Sequence, residues 1–254
     1  MGRLLILTLA ITLMTGCSVG TAEGNRNISN AVHSFLDAGS SISSSFFEKY
    51  SDNQCELDIP RIQVDTDMDQ DGIKDMDDIL EGARKDMENK PKYRSAYYEG
   101  GYPPDNEGVC TDVIWRALQN AGYNLKEMID NDIRENMKDY PRVSGKPDPN
   151  IDFRRVKNLV PFFKKYAVTL TTEIIPRDEE NLKEWQGGDI VVYGEPLEHI
   201  AVVSDQRRKD GVPYIIHNGG PYTKENDMLL RWHSPIIYHF RFPDASLDSG
   251  KNAE

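Results

Sequence analysis

The spacing of apolar residues changes near residue 168, and this change restricts the possible folds of the chain more than any other feature. Before it, apolar side chains recur at helical spacing and predict helices over 109–121, 124–137 and 155–166. After it, segments rich in valine, isoleucine and tyrosine predict strands at 168–172, 189–193, 199–204, 213–217 and 236–242. Helices followed by turn-linked strands predict an α+β fold, with N-terminal helices packed on a C-terminal antiparallel β-sheet.

Length and charge limit the number of domains and the classes of partner. With 254 residues, 38% of them hydrophobic, the chain is long enough for one substantial core. Its formal net charge of -12 repels nucleic acid and anionic lipid surfaces. We therefore expect one main domain, no nucleic acid partner and no membrane contact through a basic patch.

The N-terminus predicts export and a lipid anchor. Arg3 precedes an apolar run, residues 4–14, that is too short to span a bilayer. The run ends at Gly16 and Cys17, a small residue before a cysteine, which resembles the bacterial lipobox. We predict a lipoprotein signal peptide over 1–17, lipidation of Cys17 and an extracytoplasmic protein anchored to a bacterial membrane. The alternative is an ordinary secretory signal in which Cys17 is incidental.

An aspartate-rich segment has the spacing of a calcium-binding loop of the EF-hand or dockerin style. Carboxylates stand at loop positions 1, 3, 5, 9 and 12, a glycine at position 6 allows the sharp turn, and position 7 contributes a backbone carbonyl. The predicted ligands are Asp67, Asp69, Asp71, Ile73, Asp75 and Asp78. We expect calcium in a structural role. The alternative is a solvated acidic linker without an ion.

Cys110 stands at the start of a predicted helix and is the best candidate nucleophile. A helix N-terminus and a nearby imidazole lower the pKa of a thiol and favour the reactive thiolate. His199 opens one apolar strand as the candidate base, and His217 closes the next as the group that orients it. Two alternatives remain: a disulfide between Cys110 and Cys55, and a zinc site formed by Cys110 with the two histidines.

These residues resemble the NlpC/P60 superfamily of papain-like cell-wall peptidases, and more closely the related DUF1287 family, over residues 79–242. The matching segments are 102–104, 108–113, 148–159, 188–191, 199–205 and 216–218. The resemblance implies a papain-like fold and hydrolysis of amide bonds in peptidoglycan stem peptides by Cys110, His199 and His217. DUF1287 itself implies no settled substrate. Val109 and Thr111 depart from the residues that flank the cysteine in many of these peptidases.

Polar residues near the predicted catalytic group are candidates for substrate binding. Arg154 and Arg155 can hold a carboxylate of peptidoglycan or its peptide fragments, or can instead pair with local acids such as Asp152. Asp112 can bind an ammonium group, or it can simply complement the helix dipole. Asn158 and Asn218 complete the candidate set.

The resulting domain organisation has five parts. Signal peptide 1–17 is followed by a tether and helical extension over 18–60, with a predicted helix over 28–50. A calcium-loop segment over 61–90 precedes a catalytic domain over 91–243, and 244–254 form a disordered tail. The predicted activity is that of a cell-envelope cysteine peptidase or amidase. The alternative is a non-catalytic, calcium-binding envelope lipoprotein that binds a ligand or a protein partner.

Overall fold

The computed structural model describes residues 57–247 of the chain. The predicted signal peptide, the lipidation site Cys17, the predicted helix over 28–50 and Cys55 lie outside the described residues. Across 57–247, no helix is long and apolar enough to cross a membrane.

The helices precede most of the sheet, as the spacing of apolar residues predicts. They are α1 (Asp75–Asn89), α2 (Cys110–Asn120), α3 (Leu125–Asn136), α4 (Val156–Tyr166) and a short α5 (Glu179–Leu182). Two 3-10 turns cover Met137–Asp139 and Asp152–Arg154. The predictions for α2, α3 and α4 are confirmed with ends displaced by about one residue, the usual uncertainty of helix termini.

A six-stranded antiparallel sheet forms the C-terminal half of the fold. Its strands are β3 (Val168–Thr169), β4 (Ile190–Tyr193), β5 (His199–Arg207), β6 (Pro213–His217), β7 (Lys224–Asn226) and β8 (Ile236–Arg241). They lie in the order β3-β8-β4-β5-β6-β7. The predicted antiparallel sheet is therefore confirmed. The polar strand β7 was not predicted, because it lacks apolar alternation.

A separate pair of short strands leads into the cysteine-bearing helix. β1 (Lys92–Tyr93) and β2 (Glu107–Gly108) pair in parallel, and Gly108 lies two residues before Cys110. This pair was not predicted, because two-residue strands carry no periodic signal.

Both faces of the six-stranded sheet are covered. Along β4, Ile190 and Val192 face a core shared with the helices, whereas Val191 and Tyr193 face a second cluster that contains Trp185. This alternation follows from the two-residue repeat of a strand.

Helix α1 belongs to the main core. Its residues Ile79 and Ala83 lie in the same buried cluster as Ile114 and Leu118 of α2. Helix α1, which lies in the predicted calcium-loop segment over 61–90, therefore shares its core with α2 of the predicted catalytic domain.

Candidate functional site

Cys110 is the first residue of α2 and a free thiol. Cys55, the partner in the predicted alternative of a disulfide, lies outside the described residues. Backbone N–H groups of Cys110, Thr111 and Ile200 are directed at the sulfur. Because the first amides of a helix have no intrahelical acceptor, they form a partly positive group around it.

A buried ion pair holds the start of α2 in place. The carboxylate of Asp112 accepts hydrogen bonds from Arg154 Nε at 2.7 Å and Nη2 at 2.8 Å. It also accepts hydrogen bonds from the backbone N–H of Val109 at 2.7 Å and from the indole N–H of Trp115 at 2.8 Å. These contacts fix the turn that carries Cys110.

The same ion pair corrects two of the predicted substrate contacts. Asp112 is 0% exposed and Arg154 is 6% exposed, so neither charge faces solvent. Each side chain is satisfied by the other, and we assign both a structural role at the helix start.

The structure brings the two predicted histidines together. His199 begins β5 and His217 ends β6, and Nε2 of His199 lies 2.8 Å from Nδ1 of His217. Nε2 of His217 in turn lies 3.1 Å from Oδ1 of Asn226, on β7. The adjacent strands thus align two imidazoles and an amide in one hydrogen-bonded row.

The order of donors and acceptors in this row determines the tautomer of each ring. Because the Asn226 oxygen accepts a hydrogen bond, His217 carries its proton on Nε2 and presents an unprotonated Nδ1. His217 Nδ1 then accepts a hydrogen bond from the Nε2–H group of His199. This leaves the lone pair of His199 Nδ1 available, and no described residue donates a hydrogen bond to that atom.

Trp232 covers the imidazole pair. Its indole stacks on the His199 ring with centroids 3.9 Å apart, and it meets the His217 ring edge-on at 5.4 Å. Burial lowers the pKa of His199 to about 3 and that of His217 to about 4. Both rings are therefore neutral at pH 7, as the tautomer assignment requires.

Asn226 and Trp232 are site residues that sequence reasoning missed. Asn226 lies on the unpredicted strand β7, and Trp232 lies in the connection to β8. Neither position carries a motif. The only sequence signal for Asn226 is a short polar segment that follows the strand ending at His217.

The protonation of Cys110 differs from the prediction. We expected the helix start to lower the thiol pKa, but burial raises it to about 11, despite the N–H group of Ile200 directed at the sulfur. The negative charge of Asp112 adds to this rise. The resting pair is consequently a neutral thiol and a neutral imidazole.

Cys110, on α2, contacts β5 next to His199 but forms no hydrogen bond with the imidazole. The backbone N–H of Ile200, the residue that follows His199, donates to the sulfur. Among residues 57–247, no hydrogen bond joins the sulfur to either imidazole. Nucleophile–base contacts are often long without substrate and shorten in the complex.

The other predicted substrate contacts are held in structural interactions. Arg155 donates to the carboxylate of Asp152 at 2.9 Å, as the alternative of pairing with a local acid predicts. Asn158 is fully buried, and its amide group donates to the Asp152 carbonyl at 3.1 Å. Asn218 is also fully buried and donates to the carbonyl of Pro91 at 3.1 Å. All three side chains therefore bind groups of the protein itself.

A cavity of about 220 Å³ adjoins the histidine row. It is lined by His217, Gly219, Gly220, Tyr222, Lys224, Asn226, Met228 and Trp232. A Cβ added at Gly219 would lie 2.9 Å from Trp232, so glycine keeps this backbone close to the indole. Lys224 is the cationic side chain of the cavity lining, and its Nζ atom lies 5.0 Å from the centroid of the Tyr222 ring.

The aspartate-rich loop lies away from Cys110, at the opposite end of α2. Oxygen atoms of Asp67, Asp69 and Asp71 lie within 4.8 Å of one another. Asp75 departs from its predicted ligand role, because its carboxylate accepts from the Tyr123 hydroxyl at 2.6 Å and from the Met68 amide at 2.8 Å. Ile73, which was expected to contribute only its carbonyl, has an exposed side chain.

Comparison with known proteins identifies a family. Residues 80–242 match the model described as "Domain of unknown function (DUF1287)". The chain is 37% identical over 172 residues to the "Uncharacterized protein YijF" of Escherichia coli (strain K12), across 65% of this chain and 80% of that protein. No solved structure matches the chain. The chain therefore belongs to the DUF1287 family.

Proposed function

We propose that this protein is a cysteine hydrolase of the cell envelope that cleaves amide bonds, with peptidoglycan stem peptides as its substrates. The observation that supports it best is the row from His199 through His217 to Asn226, which leaves His199 Nδ1 free to accept a proton. A helix-start cysteine and a strand-start histidine in a helix-and-sheet fold also agree with the papain-like arrangement that the sequence resembles.

The reaction begins with transfer of the Cys110 thiol proton to His199 Nδ1. The sulfur attacks the amide carbonyl carbon, and backbone N–H groups at the start of α2 stabilise the negative oxygen of the tetrahedral intermediate. The protonated His199 donates its proton to the departing nitrogen as the carbon–nitrogen bond breaks. The products of this step are a thioester on Cys110 and a free amine.

The second half of the reaction regenerates the thiol. Neutral His199 accepts a proton from water, and the hydroxide attacks the thioester carbonyl. Collapse of the intermediate releases a carboxylic acid, and the cysteine sulfur recovers its proton from His199. His217 acts as a positioning residue, because its hydrogen bond keeps His199 in the tautomer with an unprotonated Nδ1.

The position of Lys224 favours a substrate that carries a carboxylate. The lysine borders the cavity next to His217, whereas Arg154 and Arg155 are bound to acids of the protein. A volume of about 220 Å³ lies below the roughly 300 Å³ typical of the smallest drug-sized pockets. A peptide with a free carboxylate, such as a stem peptide, fits this chemistry by placing one side chain or terminus in the cavity.

The test is release of peptide fragments from purified cell wall, read by mass spectrometry. Cys110→Ser and His199→Ala are expected to abolish release while the circular dichroism spectrum stays unchanged. Arg94→Ala alters an exposed ion pair with Glu107 and is the control that retains activity. Undiminished release by Cys110→Ser would overturn the assignment.

One observation favours a second function. The high thiol pKa and the missing sulfur–imidazole hydrogen bond suit a non-catalytic domain that uses the cavity to bind a ligand. In that case wall fragments bind the protein and are recovered intact. Binding that survives Cys110→Ser, with no cleavage by the unmodified protein, would support this alternative.

A further inference from the structure

Three acidic side chains cluster in the loop before α1 without a basic partner. Asp67, Asp69 and Asp71 place oxygen atoms within 4.8 Å of one another, and no described lysine or arginine forms a salt bridge with any of them. Nearby acids do have such partners: Lys74 binds Asp65. Among the described residues, therefore, no direct ion pair offsets the three negative charges, and Lys74 and Lys85 act on Asp67 and Asp71 only from a distance.

A second observation comes from Asp78, on the first turn of α1. Asp78 is 3% exposed, and its Oδ2 atom is buried without any hydrogen-bond partner. The backbone carbonyl of Asp78 accepts a hydrogen bond from Asn120 at 2.9 Å, and Gly122, two residues further along, approaches Asp69, so Asp78 and the cluster lie at the same end of α2. An unpartnered buried oxygen destabilises a fold unless something binds it.

We propose that Asp67, Asp69, Asp71 and Asp78 bind a calcium ion. These residues occupy positions 1, 3, 5 and 12 of a calcium loop, and Gly72 at position 6 has the positive φ of 94° that its sharp turn requires. Four carboxylates supply the oxygen ligands that a hard divalent cation prefers. The site does not depend on the cysteine chemistry.

The ion would attach the loop to the cysteine-bearing helix. Just beyond that helix, a Cβ added at Gly122 would lie 2.9 Å from Cβ of Asp69. The Asn120 side chain donates to the Asp78 carbonyl at 2.9 Å, and Tyr123 donates to Asp75. Binding therefore stabilises the contact between the loop, α1 and the C-terminal end of α2. The DUF1287 match begins at residue 80, so the loop lies outside it.

The test uses the full chain and measures its melting temperature in EDTA and in excess calcium chloride. A calcium concentration about a hundredfold above the Kd is expected to raise Tm by roughly 5–10 °C. Terbium luminescence, excited through nearby aromatic side chains, reports occupancy directly. An unchanged Tm and no terbium signal would overturn the proposal, and an equal shift with magnesium would overturn the choice of calcium.

The melting temperature of Asp78→Asn distinguishes a calcium site from an acidic linker that binds no ion. Removing the unpartnered buried charge is expected to raise Tm in EDTA, while the shift caused by calcium disappears. Asp77→Asn is the matched control: Asp77 lies on the same turn but binds Arg61, so its variant keeps the calcium shift. A full calcium shift in Asp78→Asn would contradict the proposed ligand set.

Discussion

Nε2 of His199 lies 2.8 Å from Nδ1 of His217, and this contact determines which atom of the first ring is available as a base. The second ring is itself held by Asn226 at 3.1 Å. Antiparallel pairing of β5, β6 and β7 places the three side chains in line. The tautomers of both rings thus depend on the sheet.

Nitrogen-15 NMR of the histidine rings tests the tautomer assignment. We expect the proton on Nε2 in both His199 and His217 at pH 7. Asn226→Leu removes the acceptor and should produce a mixture of tautomers at His217, whereas Asn226→Asp keeps an acceptor and preserves the Nε2 form. The assignment is wrong if His217 in the unmodified protein carries its proton on Nδ1.

The buried histidines predict how stability depends on pH. The pKa values of His199, about 3, and His217, about 4, lie below the ordinary 6.5. At a pH between the folded-state pKa and 6.5, each histidine binds a proton in the unfolded chain but not in the folded one. The free energy of unfolding therefore falls as the pH falls from 6.5 towards 4. Each histidine contributes up to about 1.4 kcal/mol per pH unit.

Urea unfolding at pH 7, 6 and 5 measures this slope. His217→Asn removes one of the two groups and should make the dependence shallower by about the contribution of one histidine. Identical slopes for the two proteins would show that His217 binds a proton in the folded state.

The thiol pKa predicts slow alkylation of Cys110. Because burial raises this pKa from 9.0 to about 11, the thiolate fraction near pH 7 is roughly a hundredfold lower than in the unfolded chain. Iodoacetamide modification of the Cys110 peptide, followed by mass spectrometry, should be slow at pH 7 and rise steadily to pH 10. The urea-unfolded protein is the reference. A rate that already levels off below pH 7 would indicate a thiolate–imidazolium pair instead.

The ion pair between Asp112 and Arg154 predicts a large loss of stability. Arg154→Met leaves the Asp112 carboxylate buried without its cation and should lower the free energy of unfolding by about 3–5 kcal/mol. Urea unfolding measures the change. Arg94→Met removes an arginine from the exposed pair with Glu107 and should have a much smaller effect. Equal effects of the two substitutions would contradict the structural role of Arg154.

The position of Lys224 in the cavity lining leads to a prediction about substrate binding under the proposed function. Lys224→Gln should raise KM for a peptide with a free carboxylate roughly tenfold and leave kcat unchanged, since the interaction acts on binding rather than on the reacting bond. Amidation of the substrate carboxylate should have the same effect on the unmodified protein. Lys92→Gln, at an exposed neighbouring position, is the control. A fall in kcat without a change in KM would exclude this role.

The sequence by itself determined the elements and the two histidines. The helical spacing of apolar residues predicted α2 to α4, and short segments rich in valine, isoleucine and tyrosine predicted five strands of the sheet, because both patterns arise between residues a few positions apart. His199 and His217 were recognisable as a pair because each stands at the end of an apolar strand.

Only the tertiary structure decided the surroundings of these residues. Asn226 reaches His217 through a polar strand without a periodic signal, and Arg154 meets Asp112 across 42 positions of the chain. The direction of the Cys110 pKa shift was predicted wrongly, because a helix start is visible in the sequence whereas burial of its sulfur is not. Burial and long-range pairing depend on how the whole chain packs, so no local pattern encodes them.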